Sequence, residues 1–449
     1  MVDEIDRVRK RLEELIANIN PGHFVYTYPP HKIYPKITHD INPLDAWEST
    51  EQKYLNVYFH IPFCRQKCSY CNIESFAIKE DATLIDEYLD ALVKEMEMYQ
   101  EVIAKFNVIT AYVGGGTPSY LSAEQMRRFF GDIVSKISDT RTLKEFCIEI
   151  SPDSTTLEKL EVMKEFGITR VSLGLQSLDK SQIREMGRKY SDQTPIDIFR
   201  ALKETGFENI NIDIIYGHPD QTIDMLRDTL SRVLDLRPGT ISLYPLNVKP
   251  LTRFWKKIGA EGVDKSKIDN MYDYFKPLLI SEGYVQDTRL RFLLPKVGRY
   301  AHKDETIKGK PVKGFGSAAQ SYAEYLHYRP SYSVSHCRRD ILEYTGDIQA
   351  RRHPARYAFV LDDGERMRRA ITMNIRHSAF SREAFHKKFG TYPEDVFSAE
   401  FQLLYEDGFL ERDGSLIKLT EKGFKRADAV AKLFFSEAVL KMQRDYVYE

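Results

Sequence analysis

No apolar run in the sequence approaches the roughly 18 residues that a membrane-spanning helix needs, so no membrane segment is expected. An excess of either charge is also missing. The chain carries 65 Lys and Arg against 66 Asp and Glu, which leaves no global field to draw it to nucleic acid or an anionic lipid surface. Cysteine is scarce: five in 449 residues, an odd and scattered set that excludes a disulfide framework. MVDEIDRVRKRLEELI reads as a charged, amphipathic segment rather than as an apolar secretory leader, so none is expected. These absences predict a cytoplasmic location, with no nucleic-acid and no membrane partner.

What is present divides into three stretches, 1–53, 54–325 and 326–449. The first opens with a surface helix over 1–19, where Ile5, Val8, Leu12, Leu15 and Ile16 recur at helical spacing. Pro21, Pro29, Pro30, Pro35 and Pro43 then break regular structure, so 20–53 reads as an extended arm covering the barrel surface. From 54 onward strand and helix alternate. Candidate strands are Leu55–Ile61, Val108–Val113, Glu145–Ser151, Arg170–Leu175, Asn209–Tyr216 and Thr240–Tyr244. Helices are predicted between them, including one over Ala123–Lys136. Ser122 with Gln125, and Thr155 with Glu158, fit capping boxes. Near-continuous apolar strands imply a parallel sheet buried on both faces. Six such units make a partial barrel, with chemistry at the C-terminal strand ends. Past 355 the pattern becomes helix, helix, hairpin, helix. Asp413-Gly414 is the hairpin turn and Thr420 the last cap, so the third stretch reads as winged-helix-like. Its basic residues are interleaved with acids, which favours packing or a lid over DNA binding.

The chemistry concentrates at the strand ends. Residues 57–76, VYFHIPFCRQKCSYCNIESF, place Cys64, Cys68 and Cys71 in a C-x3-C-x2-C spacing. A [4Fe–4S] cluster normally takes four thiolates, so three on one loop would leave one iron open. The bland alternatives are a zinc site or three unrelated buried thiols; no second ligand pair downstream favours zinc. After the second strand comes Gly114-Gly115-Gly116-Thr117-Pro118, where missing Cβ atoms let backbone N–H groups approach an anion. Glu149 ends the third strand, and a carboxylate there needs a ligand or cation. Cys147, two residues earlier, reads as a small buried hydrophobe. Gln176 ends the fourth strand, and Asp213 interrupts the apolar run INIDIIYG of the fifth.

An apolar strand followed by Tyr58, His60, Pro62 and Phe63, then the three cysteines with Tyr70 between the last two, resembles the radical S-adenosylmethionine (SAM) enzymes. Within them it resembles the oxygen-independent coproporphyrinogen III oxidase-like family, from about residue 55 to about 325. That resemblance implies an α/β fold: a partial (β/α)6 radical SAM barrel with an N-terminal arm and a C-terminal helical, winged-helix-like domain. It implies a [4Fe–4S] cluster on Cys64, Cys68 and Cys71. It implies SAM bound by Tyr58, Tyr70, Gly115, Gly116, Thr117, Glu149, Gln176, Arg188, Asp213 and Asn247, and Tyr58 and His60 as catalytic residues. An external electron donor such as flavodoxin or ferredoxin, and an aromatic or unsaturated small-molecule substrate, follow from the same resemblance.

Departures from the family pattern shape the expected reaction. Coproporphyrinogen oxidases proper carry a fourth cysteine two residues after the third, where this chain has Ile73. Haem-handling relatives carry an H-N-x-x-Y-W motif that KPVKGFG at 310–316 lacks. The segment Ser242–Thr252 resembles the methyltransferase and cyclopropanase branch, thought to bind two SAM molecules, one the radical source and one the carbon donor. Methylation or cyclopropanation of an sp2 carbon is therefore the leading expectation. Oxidative decarboxylation of a porphyrinogen, or related tetrapyrrole processing, is the alternative, and a haem-binding carrier the third.

Overall fold

The computed structural model describes residues 2–18, 24–37, 41–78, 82–137, 139–259, 263–377 and 379–447. Six strands occupy the predicted places: Tyr54–Ile61, Asn107–Gly115, Glu145–Ile150, Arg170–Gln176, Asn209–Tyr216 and Thr240–Pro245. They pair in chain order and all in parallel. On the first strand, Leu55, Val57, Phe59 and Ile61 are buried in the main core, with the Phe59 ring 5.3 Å from that of Phe129. Each such side chain contributes about 1.5–3 kcal/mol. The intervening residues turn inward: Asn56 accepts from the Thr110 hydroxyl at 2.6 Å, and Tyr58 stacks on Tyr112. This alternation leaves the barrel interior polar and aromatic.

The helix starts follow their caps. Ser122 and Gln125 form the reciprocal box. At the next helix the cap is Thr156, which accepts from the Lys159 N–H, and not Thr155, whose hydroxyl donates to the Ser151 carbonyl at 2.9 Å. The predicted helix over 123–136 is helical throughout but changes type. It runs from α over Ala123–Arg128 to a wider π turn over Phe129–Ile133, in which Phe129, Phe130 and Ile133 are all buried, and a tighter 3-10 turn over Val134–Lys136.

The sheet is larger than the six strands. Val312–Phe315 adds in parallel beside the first strand, and Ser321–Tyr322, Leu326–Arg329 and Tyr357–Val360 extend it antiparallel. Arg291–Leu293 and Val285–Gln286 close the opposite edge, giving twelve strands. The added parallel strand carries Lys313 into the core, where it meets Glu95 at 3.1 Å. Glu95 also accepts from the Gly316 N–H and the Tyr344 hydroxyl, both at 2.8 Å. A buried pair so fully partnered ties helices Ala82–Ile103 and Cys337–Gln349 to the sheet, and losing one member costs about 3–5 kcal/mol. The boundary expected between 325 and 326 thus falls between two paired strands.

The C-terminal stretch forms helices Arg382–Phe389 and Ser398–Glu406, then the hairpin Leu410–Asp413 with Leu416–Leu419, then Glu421–Lys425 and Ala427–Leu433. Its core includes Phe401, Leu404, Val430 and Phe434, together with Leu12, Val25, Tyr28 and Ile33. The first helix, Val2–Asn18, and Val25, Tyr28 and Ile33 of the arm therefore pack on this domain, whereas Ala46 and Trp47 farther along the arm are buried in the barrel core, as expected of a barrel cover. Arm residues 20–23 and 38–40 lie outside the described residues.

Candidate active site at the barrel mouth

The loop after the first strand closes on itself, because Phe63–Cys64 pairs in parallel with Phe76–Ala77. Cys64, Cys68 and Cys71 are free and all line one cavity of about 340 Å³. Outside contacts fix the loop: the Ser69 N–H donates to the Met186 carbonyl at 3.0 Å, and the Phe254 N–H to the Ser69 carbonyl at 3.0 Å. The Thr117 hydroxyl donates to the Cys64 sulfur at 3.3 Å. Burial pushes the Cys64 thiol up to about 12, a cost that metal coordination removes because a coordinated thiol is deprotonated outright. Cys147 and Cys337 are buried elsewhere. The Cys147 sulfur accepts from Arg170 at 3.2 Å, and the Cys337 thiol donates to the Ser333 carbonyl at 3.2 Å. Ile73, also at the cavity, is 42% exposed.

The triple glycine works differently from the sequence expectation. Its N–H groups are spoken for: Gly115 donates to Glu149 at 3.2 Å, Gly116 to the Ile61 carbonyl at 2.9 Å. What requires glycine is close approach. A Cβ on Gly116 would lie 2.9 Å from the Cys64 sulfur and 2.8 Å from the Phe63 carbonyl oxygen. One on Gly115, whose φ is +118°, would lie 2.7 Å from the His60 ring. Glu149 takes the Tyr112 hydroxyl at 2.6 Å, and burial raises its carboxyl to about 7.

Gln176, Arg188, Asp213 and Asn247 line the same cavity, with Tyr70, Gly115, Gly116, Thr117 and Glu149. Gln176 has a positive φ of 70°, a strained position for a non-glycine residue. Arg188 donates to the Tyr70 hydroxyl and the Ser151 hydroxyl, both at 2.9 Å, while its buried Nε has no hydrogen-bond partner among the described residues. Asp213 accepts from Ser172 at 3.0 Å and Asn211 at 2.8 Å, and burial raises its carboxyl.

Tyr58 and His60 do not line the cavity. His60 Nε2 lies 3.0 Å from the Glu74 carbonyl oxygen, which can only accept, so Nε2 carries the proton. Its Nδ1, 3.0 Å from the Tyr58 hydroxyl, is then the acceptor. With both nitrogens bonded and the imidazole lowered to about 4 by burial, His60 is a neutral strut under the cluster loop.

Sequence reasoning missed the rim. Phe24 of the arm and Tyr244 line the cavity, as does Tyr26. Just outside, the Tyr332 hydroxyl donates to the Asn72 carbonyl at 2.7 Å, and both Lys32 and Arg329 approach the Tyr332 ring, at 5.8 and 6.0 Å. Lys249, two residues beyond Asn247, is depressed to about 7 by burial and then by Lys32 and Lys432. Lys32 is lowered to about 8 by burial and by Arg329. The signal in the sequence was weak, since these cations lie far apart in the chain.

Residues 58–233 match the Radical SAM superfamily, and 361–425 match the HemN C-terminal domain. The chain is similar to the HemN-like radical SAM proteins. The HemN-like chain is 28% identical to the heme chaperone HemW of Lactococcus lactis, over 86% of its own length and 99% of the relative's. It is 26% identical to the oxygen-independent coproporphyrinogen III oxidase of Salmonella typhimurium, over 92% and 90%. In fold it matches coproporphyrinogen III oxidase (HemN) from Escherichia coli with a TM-score of 0.79 at 21% identity, covering 92% and 97% of the two chains. Radical SAM proteins use a [4Fe–4S] cluster and SAM, and the residues present fit both. Three thiols share one loop, a cofactor-sized cavity opens beside them, and a buried Arg188 Nε has no hydrogen-bond partner. The expected methyltransferase and cyclopropanase branch finds no support among relatives aligned along most of the chain. Among the described residues, no helix is long and apolar enough to cross a membrane.

Proposed function

We propose that the HemN-like chain binds a carboxylate-bearing tetrapyrrole at the barrel mouth and carries out SAM-dependent radical chemistry on it. Oxidative decarboxylation of a porphyrinogen is the reaction that fits best. The observation that carries this reading is the crowd of cations at the rim. Lys32 and Arg329 approach the Tyr332 ring, and Lys249, two residues beyond the lining residue Asn247, is depressed by burial and by Lys32 and Lys432; Phe24, Tyr26 and Tyr244 line the cavity itself. A flat ring system carrying several carboxylates matches both parts: its body the aromatics, its side chains the cations. The alignment with coproporphyrinogen oxidases over 92% of the chain supports the same class.

The chain's residues take these roles. Cys64, Cys68 and Cys71 would hold the cluster, three thiolates leaving one of its irons without a ligand from this loop. Glu149, as a carboxylate, receives the amino group of SAM, and Arg188 its carboxylate. Asp213 meets the ribose hydroxyls, with Gln176 and Asn247 at the polar edges of the adenosyl group. Bound cluster and SAM together supply a 5′-deoxyadenosyl radical, given an electron from an external donor of the flavodoxin or ferredoxin kind. Phe24 and Tyr26 exclude water above it, and the Tyr58–His60–Glu74 chain holds the loop in register.

One observation favours a second reading, a heme carrier: the similarity to a heme chaperone along 99% of that protein. A binding experiment separates the two. Anaerobic titration of the reconstituted chain with coproporphyrinogen III and, separately, with hemin reads both affinities. Lys32→Gln with Lys249→Gln should weaken coproporphyrinogen binding about tenfold to hundredfold, the cost of one lost charge-assisted contact. Tight hemin binding with no porphyrinogen binding would overturn the decarboxylase reading in favour of the carrier.

A further inference from the structure

A second cavity, of about 320 Å³, shares no lining residue with the first. It lies at the seam between the sheet and the C-terminal domain. One wall is Tyr322 to Glu324 and the end of helix Ala301–Ile307; the other is helices Asp363–Asn374 and Arg382–Phe389. Four cations line it against one acid, Glu324. Two of the four are already partnered. Arg366 pairs with Glu324 at 2.5 Å and Asp363 at 2.6 Å, and Lys308 reaches Glu305 at 3.5 Å.

Arg369 and Lys388 are different. Among the described residues neither makes a hydrogen bond or an ion pair; Arg369 lies 6.0 Å from the Tyr322 ring and Lys388 5.5 Å from the Phe389 ring, with the Glu324 carboxylate and Arg366 acting on Lys388 at longer range. Arg369 Nε is buried with no partner. Both side chains converge on Gly309, where a Cβ would lie 3.1 Å from Lys388 Nζ and 3.6 Å from an Arg369 guanidinium nitrogen. The Asn374 amide donates to Ile307 and Ala370 and the Ser381 hydroxyl caps its helix, while Glu324 Oε2 and Arg366 Nε, like Arg369 Nε, are buried with no hydrogen-bond partner among the described residues. Burial and the neighbouring Arg369 depress Lys388 to about 8. Two like charges held together in a half-buried pocket are costly until an anion joins them. The remaining lining, Tyr322, Phe380, Phe385 and Phe389, is apolar and suits a ring.

We infer that this seam pocket is a second ligand site, separate from the cluster cavity, that takes a small oxyanion on an apolar body between Arg369 and Lys388. A planar carboxylate or a phosphate suits the guanidinium fork, with the ammonium as a point charge beside it. The volume is at the small end of the range for ligand pockets, about 300–1,000 Å³, so the ligand is of single-ring size. Because both walls contribute, occupancy clamps the C-terminal domain to the sheet and stabilises the whole chain by mass action.

The test is thermal unfolding of the full, cluster-reconstituted chain under argon with benzoate, phenyl phosphate or sodium chloride at matched ionic strength. Benzoate or phenyl phosphate should raise Tm saturably and chloride should not; which of the two acts at lower concentration distinguishes carboxylate from phosphate. Arg369→Gln and Lys388→Gln should each weaken that binding about tenfold or more, whereas Arg369→Lys should keep part of it. Without ligand, both Gln variants should be at least as stable as the parent, since repulsion is removed, and their cluster absorbance should be unchanged. The inference is overturned if neither organic anion exceeds chloride, or if the rise persists in the double Gln variant. A Gln variant less stable than the parent without ligand makes the residue structural and overturns it equally.

Discussion

Glu149 offers the sharpest quantitative consequence. Its carboxyl stands at about 7 where an ordinary glutamate stands near 4.5, and burial is the leading cause. The gap corresponds to about 3 kcal/mol against the charged form. A cationic amino group placed beside it reverses that cost, so binding SAM should expel the proton. The sign follows from linkage: below about pH 7 the free protein holds a proton that the complex must release, and affinity falls as pH falls. The slope approaches tenfold per pH unit, so SAM should bind about tenfold to thirtyfold more weakly at about pH 5.5 than at about pH 7. Isothermal titration of the cluster-loaded chain, in buffers of different ionisation enthalpy, measures both the affinity and the protons released. The amine of SAM titrates near 8, so the series stops at about pH 7.5 and is referred to Glu149→Gln, which has no carboxyl to ionise. Gln should bind more weakly at neutral pH and lose the slope. A parent with flat affinity, or a Gln variant with the same slope, would refute the reasoning.

Replacing Cys64, Cys68 or Cys71 by Ala should abolish the broad visible absorbance of the anaerobically reconstituted protein. Cys147→Ala and Cys337→Ala should keep it, because those thiols lie outside the cavity; full cluster occupancy in Cys68→Ala would contradict the assignment. Gly116→Ala should be as damaging to the cluster as losing a cysteine, since its Cβ meets backbone at 2.8 Å as well as the Cys64 sulfur at 2.9 Å. Absorbance and iron content after reconstitution read this directly, and a normal iron load would sink it. Tyr58→Phe removes only the donor to His60 Nδ1, so iron content should hold and SAM affinity change less than about threefold; a loss of hundredfold or more would restore a direct cofactor role to Tyr58.

Much of the barrel was legible because its strands are rich in apolar residues, buried along most of their length, and end in chemistry. Asn209–Tyr216 is found at its predicted limits, and Cys64, Cys68, Cys71, Glu149, Arg188 and Asp213 meet at one cavity. Local spacing carried the strands and the three cysteines, and the family resemblance carried Glu149, Arg188 and Asp213. What failed depended on distant partners. Val312–Phe315 is only four residues long and holds a lysine, so nothing local marks it as a buried strand until Glu95 supplies the countercharge. Likewise, nothing local showed that the Glu74 carbonyl and the Tyr58 hydroxyl would hold both nitrogens of His60. The rim cations Lys32, Lys249, Arg329 and Lys432 come from four separate segments, and only folding brings them together.

The central claim is a radical reaction on a carboxylate-bearing tetrapyrrole, without a second SAM as carbon donor. Incubating the reduced, cluster-loaded chain anaerobically with coproporphyrinogen III and SAM whose methyl group is fully deuterated tests it in one measurement. The account predicts release of carbon dioxide and 5′-deoxyadenosine free of deuterium. Deuterium in the 5′-deoxyadenosine, with a product that has gained a carbon and no carbon dioxide released, would contradict it.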